Sequence, residues 1–215
     1  MLVQTPSKIL KNDFRVWNET EQYTMTEIFK NEEKINALLS VKEAVLNIGG
    51  ELRLNFEGER TILILPLYGE IIISDFYESI SAGKSLTFNS EAGKEIVIKN
   101  LVYHDKTDLL IFEFEKQENI LSFSKKELDF ALENNFFRIS ATLPFPNFIG
   151  LYNGRAEGFY ALKDSEKSIF GIVVNGAFEF QNRLLENRDA ILLWQIQELE
   201  FEALSEDALV IFMEI

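Results

Sequence analysis

The chain has 215 residues, a formal charge of −14 from 35 acidic and 21 basic side chains, no cysteine and a single histidine. Without thiols there are no disulfides, no thiolate nucleophile, no iron–sulfur cluster and no sulfur-ligated zinc, and one imidazole cannot build an ordinary transition-metal centre. The negative field repels phosphate backbones, and the nearest approach to a basic run is Lys125-Lys126, so direct binding to nucleic acid is not expected.

The opening residues Met1 to Pro6 turn polar at once and offer no apolar signal core, and no apolar run reaches the length of a membrane span. A cytoplasmic location is expected, with no membrane partner. Phenylalanine, with 19 copies against six tyrosines and two tryptophans, predicts an interior rich in ring contacts.

In chain order, Glu32 to Leu39 carries Ile35, Leu38 and Leu39 on one helical face and is a helix candidate. Leu52-Arg53-Leu54-Asn55-Phe56-Glu57 alternates apolar and polar residues, the signature of a strand with one wet face. Continuous apolar runs at 62–67, 109–112 and 191–194 predict strands buried on both sides. Pro66 cannot donate to a ladder, so its strand should lie at an edge or bulge there. Ser124-Lys125-Lys126-Glu127 has the spacing of a capping box and predicts a short helix over 125–134, followed by a strand over 136–142. Glu198 to Ala203 alternates again, with Glu198, Glu200 and Glu202 outward.

These elements repeat. A strand, Gly69 and a second strand are followed by the turn Ser81-Ala82-Gly83-Lys84, an apolar strand, then strands at 96–98 and 109–114. The same order recurs around Gly176, the turn Glu186-Asn187-Arg188-Asp189, the run 190–194 and strands at 199–203 and 208–213. Gly69 and Gly176 lie 107 positions apart, half the chain, which implies a duplicated domain. The expected boundaries are an N-terminal domain over 1–117, a connecting segment with a short helix over 118–135 and a C-terminal domain over 136–215.

The pattern resembles the cupin double-stranded barrel, and two in tandem resemble the pirin-like bicupins. The likeness is carried most strongly by "NRLLENRDAILLWQIQELEFEALSEDALVIFMEI", and also by "QTPSKIL" and "LILPLYGEI". It implies an all-β protein of two jelly-roll-like barrels with one or two short helices. In that family the first cupin holds an iron-type metal through a His-x-His pair, a third His and a Glu, and a quercetin-oxygenase activity is proposed. Placement through Gly69 puts Asn55 and Glu57 at the paired positions, and "AGKEIVIKN" puts Ile98 and Asn100 at the later two. None of the four ligands is present, so no cofactor and no oxygenase activity are carried over. Asn55, Glu57 and Asn100 supply too few oxygens for Ca²⁺ or Mg²⁺.

Other chemistry is sparse. His104 beside Asp105 suggests a general base, but adjacent residues on an extended chain point opposite ways. No serine stands in a Gly-x-Ser-x-Gly elbow, and Gly49-Gly50 and Gly154-x3-Gly158 lack the context of a phosphate loop. Arg155 and Arg183 lie near strands of the second barrel and are candidates to clamp a carboxylate there, against the simpler reading of surface ion pairs. Phe159, Phe178, Phe180 and Trp194 read as core rings.

Two functions follow. One is a metal-free, non-enzymatic protein that binds a small molecule or a protein partner, with a homodimer as an option. The other is a metal-independent, isomerase-like enzyme using Glu57 inside the first barrel.

Overall fold

The computed structural model describes residues 5–32, 36–118, 120 and 123–215. Their regular structure is antiparallel strand, plus a single 3-10 turn at Asn12–Phe14. The first strands are β1 (Ser7–Leu10), β2 (Trp17–Glu19), β3 (Tyr23–Lys30), β4 (Leu38–Leu46), β5 (Glu51–Asn55), β6 (Arg60–Tyr68) and β7 (Glu70–Ile73). Next come β8 (Glu78–Ser81), β9 (Lys84–Ser90), β10 (Glu95–Asn100), β11 (Thr107–Glu115), β12 (Phe123–Glu127), β13 (Asn135–Arg138) and β14 (Asn147–Tyr152). The series closes with β15 (Glu157–Ala161), β16 (Ile169–Asn175), β17 (Phe178–Phe180), β18 (Arg183–Leu185), β19 (Ala190–Leu193), β20 (Glu198–Ala203) and β21 (Ala208–Glu214).

The chain folds as two units, each a pair of sheets enclosing its own core. The first holds Arg15–Leu128 with Ser140–Pro144, in sheets ordered β12-β9-β6-β11-β4-β3-β2 and β5-β10-β7-β8. The second holds the described residues of Met1–Phe14 with Asp129–Ile139 and Phe145–Ile215, in sheets ordered β1-β19-β16-β21-β14-β13 and β15-β20-β17-β18. Strand for strand, β9-β6-β11-β4 corresponds to β19-β16-β21-β14, and β5-β10-β7-β8 to β15-β20-β17-β18. The predicted duplication is therefore present in topology.

Backbone detail repeats as well. Gly69 and Gly176 both take left-handed φ values, +82° and +77°, that a side chain tolerates poorly. A Cβ at Gly69 would collide with the Thr107 side chain, and one at Gly176 with the Ser205 hydroxyl. Two residues earlier each barrel has a bulge. Leu67 is skipped where β11 pairs with Pro66 and Tyr68, and Val174 where β21 pairs with Val173 and Asn175. Pro66 thus sits at a bulge, as its missing N–H requires, although β6 is a central strand. β9 pairs with β6 only as far as Ile64, so no ladder bond is demanded of Pro66 from that side.

Three expectations are corrected. Residues 125–134 form no helix: Lys125, Lys126 and Glu127 pair with Leu86, Ser85 and Lys84, because the open edge of β9 offers more than a local cap can. The Leu128 amide then donates to the Gly83 carbonyl at 2.8 Å, and the chain turns away. For the earlier helix candidate, residues 33–35 lie outside the described residues, while Leu38 and Leu39 open β4. Finally, the opening segment joins not the first barrel but the second, where β1 pairs with β19 from Ser7↔Leu193 to Leu10↔Ala190. Among the described residues no helix is long and apolar enough to cross a membrane.

Candidate functional site

What the first barrel can hold is set by the side chains turned into it from its smaller sheet, on β5, β7 and β10. Alternation on β5 sends Leu52 and Leu54 inward, and Phe56 follows them. Opposite them stand Ile71, Ile73, Ile96 and Ile98, all at most 1% exposed, in one cluster with Leu86, Phe88 and Ile111. None of these groups donates an electron pair to a metal. Asn55 and Glu57 occupy the alternate positions, exposed on the outer face. They are not brought together with Asn100, and neither reaches the buried cluster that fills this barrel. The alternation read from Leu52 to Glu57 is thus observed, and it is the placement of the family pattern through Gly69 that does not bring Asn55 and Glu57 into the barrel.

Asn100 is the candidate the structure does bury, at 8% exposure, and its amide is fully occupied. Its nitrogen donates to the carbonyls of Asn47 and Asp105, each at 2.9 Å. Its oxygen accepts from the Val102 amide at 2.8 Å and the Thr107 hydroxyl at 2.7 Å. With both donors and both lone pairs used, Asn100 ties three chain segments together and has nothing left for a ligand. The neighbouring His104 is exposed, and Asp105 turns to the Tyr68 hydroxyl, which donates to it at 2.7 Å. That bond, with the Lys106 amide behind it, holds the Asp105 carboxyl below its usual range and lifts the Tyr68 phenol above its own. The pair is a loop fastener at the surface rather than a buried dyad.

The second barrel is filled by rings. Phe201 lies 5.1 Å from Tyr152, 6.0 Å from Phe178, 5.5 Å from Phe180 and 5.9 Å from Phe212, centroid to centroid. Gly158 makes room for it, because a Cβ there would strike the Phe201 ring. Phe178 and Phe180 are core rings as expected, but Phe159 is 54% exposed, since Gly158 and Tyr160 take the inward positions of β15. Arg155 does not enter the barrel. It is exposed, with a left-handed φ of +68°, and its Nη1 lies 3.2 Å from Glu202. Arg183 is buried, yet it serves the backbone, donating to the Gln181 carbonyl at 2.7 Å and to the Thr5 carbonyl.

A buried carboxylate the sequence reading did not single out is Glu214, 3% exposed. It accepts from the Tyr160 hydroxyl at 2.5 Å and from the amides of Lys163 and Asp164 at 3.0 and 2.9 Å. Burial first, and this carboxylate second, push the Tyr160 phenol far above its usual range. The signal available in sequence was an acidic residue at the inward end of an otherwise apolar strand.

On the outer face of the β15-β20-β17-β18 sheet there is a shallow depression of about 170 Å³, walled by Phe159, Gln181, Asn182 and four glutamates. Cross-strand register sets Glu157 opposite Glu202 and Glu202 opposite Glu179. Among the described residues no three His, Asp or Glu side chains are grouped so as to hold a metal ion.

No family model and no curated protein sequence matches the chain. Solved structures do. YhhW from Escherichia coli superimposes with a TM-score of 0.78 at 13% identity, covering 97% of each chain. A bacterial pirin YhhW in complex with nickel(II) from the same organism gives a TM-score of 0.77 at 15% identity, over 97% of this chain and 98% of that one. A quercetin 2,3-dioxygenase from Acinetobacter baumannii gives 0.74 at 12% identity, over 98% and 86%. At such identities the likeness establishes the fold. This chain has the two-cupin architecture of the bacterial pirin.

Proposed function

We propose that this chain is a pirin-like bicupin in which the metal chemistry of the first barrel has been replaced by packing, leaving a non-enzymatic binding and interaction protein. The observation that carries the reading is the set of side chains turned into the first barrel: Leu52, Leu54, Phe56, Ile71, Ile73, Ile96 and Ile98. Seven hydrocarbon groups stand where a cupin metal needs several imidazole or carboxylate donors converging on one ion. The residues do not fit the group, and no oxygenase step is derived through one.

Binding then falls to the outer surfaces. The depression on the second barrel is smaller than the roughly 300–1,000 Å³ of pockets that enclose small molecules. Its open, acidic setting suits a protein surface better than a buried metabolite. A metal-independent isomerase would need Glu57 within a dry concavity, and Glu57 is solvent-exposed.

Elemental analysis of tag-free protein tests the central point. Iron, nickel, manganese and copper each well below one equivalent, before and after incubation with the metal and desalting, are the expected result. One retained equivalent of any of them overturns the reading.

A further inference from the structure

The second barrel is sealed along β19 by a segment with little holding it there except polar contacts. None of the four residues of β1 is buried, and Ile9 is 40% exposed. Beneath it β19 is the reverse, with Ala190, Ile191 and Leu193 at 0% exposure. The strap is fixed by its short ladder and by two clasps. At one end Asp189, 2% exposed, accepts from the Lys11 ammonium at 2.6 Å, the Asn12 amide at 2.8 Å and the Glu186 amide at 2.9 Å. At the other, Arg183 donates to the Thr5 carbonyl and the Trp194 amide donates to Pro6 at 3.3 Å. Beyond the clasp the chain continues through the 3-10 turn with Phe14, 85% exposed, and then Val16, 76% exposed.

An edge segment with little apolar burial of its own opens at less than the free energy of global unfolding. When it lifts, β19 becomes an open edge backed by buried apolar side chains, Asp189 loses Lys11 and the Asn12 amide, and Arg183 loses the Thr5 carbonyl. Such an edge recruits another strand. The chemistry it selects is specific: an ammonium on the residue directly after the strand for Asp189, a carbonyl two residues before it for Arg183, and a four-residue strand between. We propose that residues 5–14 form an exchangeable edge strand, and that β19 with its Asp189 and Arg183 clasps is a docking edge for the same segment of a second copy of this chain. Exchange of an identical element between protomers is a low-cost route to a dimer, because every contact of the closed monomer is reused.

The absence of cysteine makes the test clean. Lys8 stands opposite Leu192 across the β1–β19 ladder, so a Lys8→Cys, Leu192→Cys double variant places two thiols face to face. Under oxidation at low concentration it should close within one copy, and failure to close would overturn both the pairing and the proposal. The two single variants, one of them ¹⁵N-labelled, are then mixed as full-length chains and oxidised, and mass spectrometry looks for position 8 of one copy linked to position 192 of the other. The expected result is a cross-copy link whose yield rises with concentration and time, formed roughly tenfold faster when Asp189→Asn weakens the clasp in both chains. Closure of the double variant together with no cross-copy link over several days shows a strap that never leaves its own barrel, and rejects exchange.

Discussion

The two barrels share a topology and differ in what fills them. The first is built on aliphatic side chains, with Leu46, Leu52, Leu54, Ile62, Ile64, Ile71, Ile73, Ile96 and Ile98 around Phe56 and Phe88. The second is built on rings, with Tyr152, Tyr160, Phe178, Phe180, Phe201 and Phe212 in mutual contact. One fold thus tolerates two interiors of different chemistry as long as volume and alternation are kept. The contrast bears on the proposed function, because a barrel that closes its core with hydrocarbon needs no ion at its centre.

The largest effect that would sharpen this contrast is truncation of the ring at the centre of the second core. Phe201→Ala removes contacts with four other rings and should cost about 3–5 kcal/mol. Ile71→Val in the first core removes one methyl and should cost about 0.5–1.5 kcal/mol. Chemical denaturation followed by hydrogen exchange of each barrel's core amides checks both. Equal losses would mean that the ring network carries no more stability than aliphatic packing.

Burial of phenols gives the second barrel an alkaline weakness that the first core, with no fully buried tyrosine, does not share. Desolvation pushes the Tyr152 phenol up to about 12. The folded chain therefore keeps the proton that the unfolded chain releases near pH 10, so the stabilising difference is complete below pH 10 and is lost as the pH climbs towards 12. Two pKa units correspond to about 2–3 kcal/mol. Denaturation midpoints measured from pH 9 to 12 should fall, and Tyr152→Phe should flatten that fall.

A smaller and symmetric effect is expected at the paired glycines. Gly69→Ala and Gly176→Ala each force a side chain into left-handed backbone and against Thr107 or Ser205, and each should cost on the order of 1–3 kcal/mol. Thermal unfolding of the two variants is the check. A large loss at one and none at the other would show that the repeat is topological only.

These pairs also show what the sequence carried. Strand alternation in Leu52 to Phe56 and in Leu199 to Ala203 was legible because half-buried strands write their faces with a period of two. The duplication was legible because a left-handed glycine has few substitutes. The same alternation puts Glu57 on the wet face, and placing a family pattern through one glycine conflicted with it, because one residue of register exchanges interior for solvent. The strand at Phe123–Glu127 was hidden for another reason: its local spacing suits a helix cap, and only the distant edge of β9 overrides it. The same holds for β1, whose partners lie 180 to 186 residues away in the chain. Asn100 and Arg183 were candidates for a ligand and for a carboxylate, and their amide and guanidinium nitrogens instead donate to backbone carbonyls, which no residue pattern displays.

The smallest expected effect separates the two outer sheets. In the first barrel the outward positions are balanced, with Arg53 within 2.6 Å of both Glu51 and Glu95, and Lys99 3.4 Å from Glu51. Arginine hydrogen-bonding accordingly holds Glu51 below its usual carboxyl range. The corresponding sheet of the second barrel sets Glu157, Glu202 and Glu179 side by side, with Arg155 as counter-charge to Glu202. Like charges directly opposite on adjacent strands oppose one another, so Glu202→Gln should stabilise the chain by about 0.2–1 kcal/mol, less whatever its contact with Arg155 supplies. Glu51→Gln should act in the opposite direction, by removing the acceptor that two cations share. Both differences shrink in high salt, because exposed charges are screened within about 10 Å at 0.1 M. A Glu202→Gln variant that is destabilised at every salt concentration would show that the acidic row is held together by its arginine, and that the two sheets differ in sequence but not in electrostatic balance.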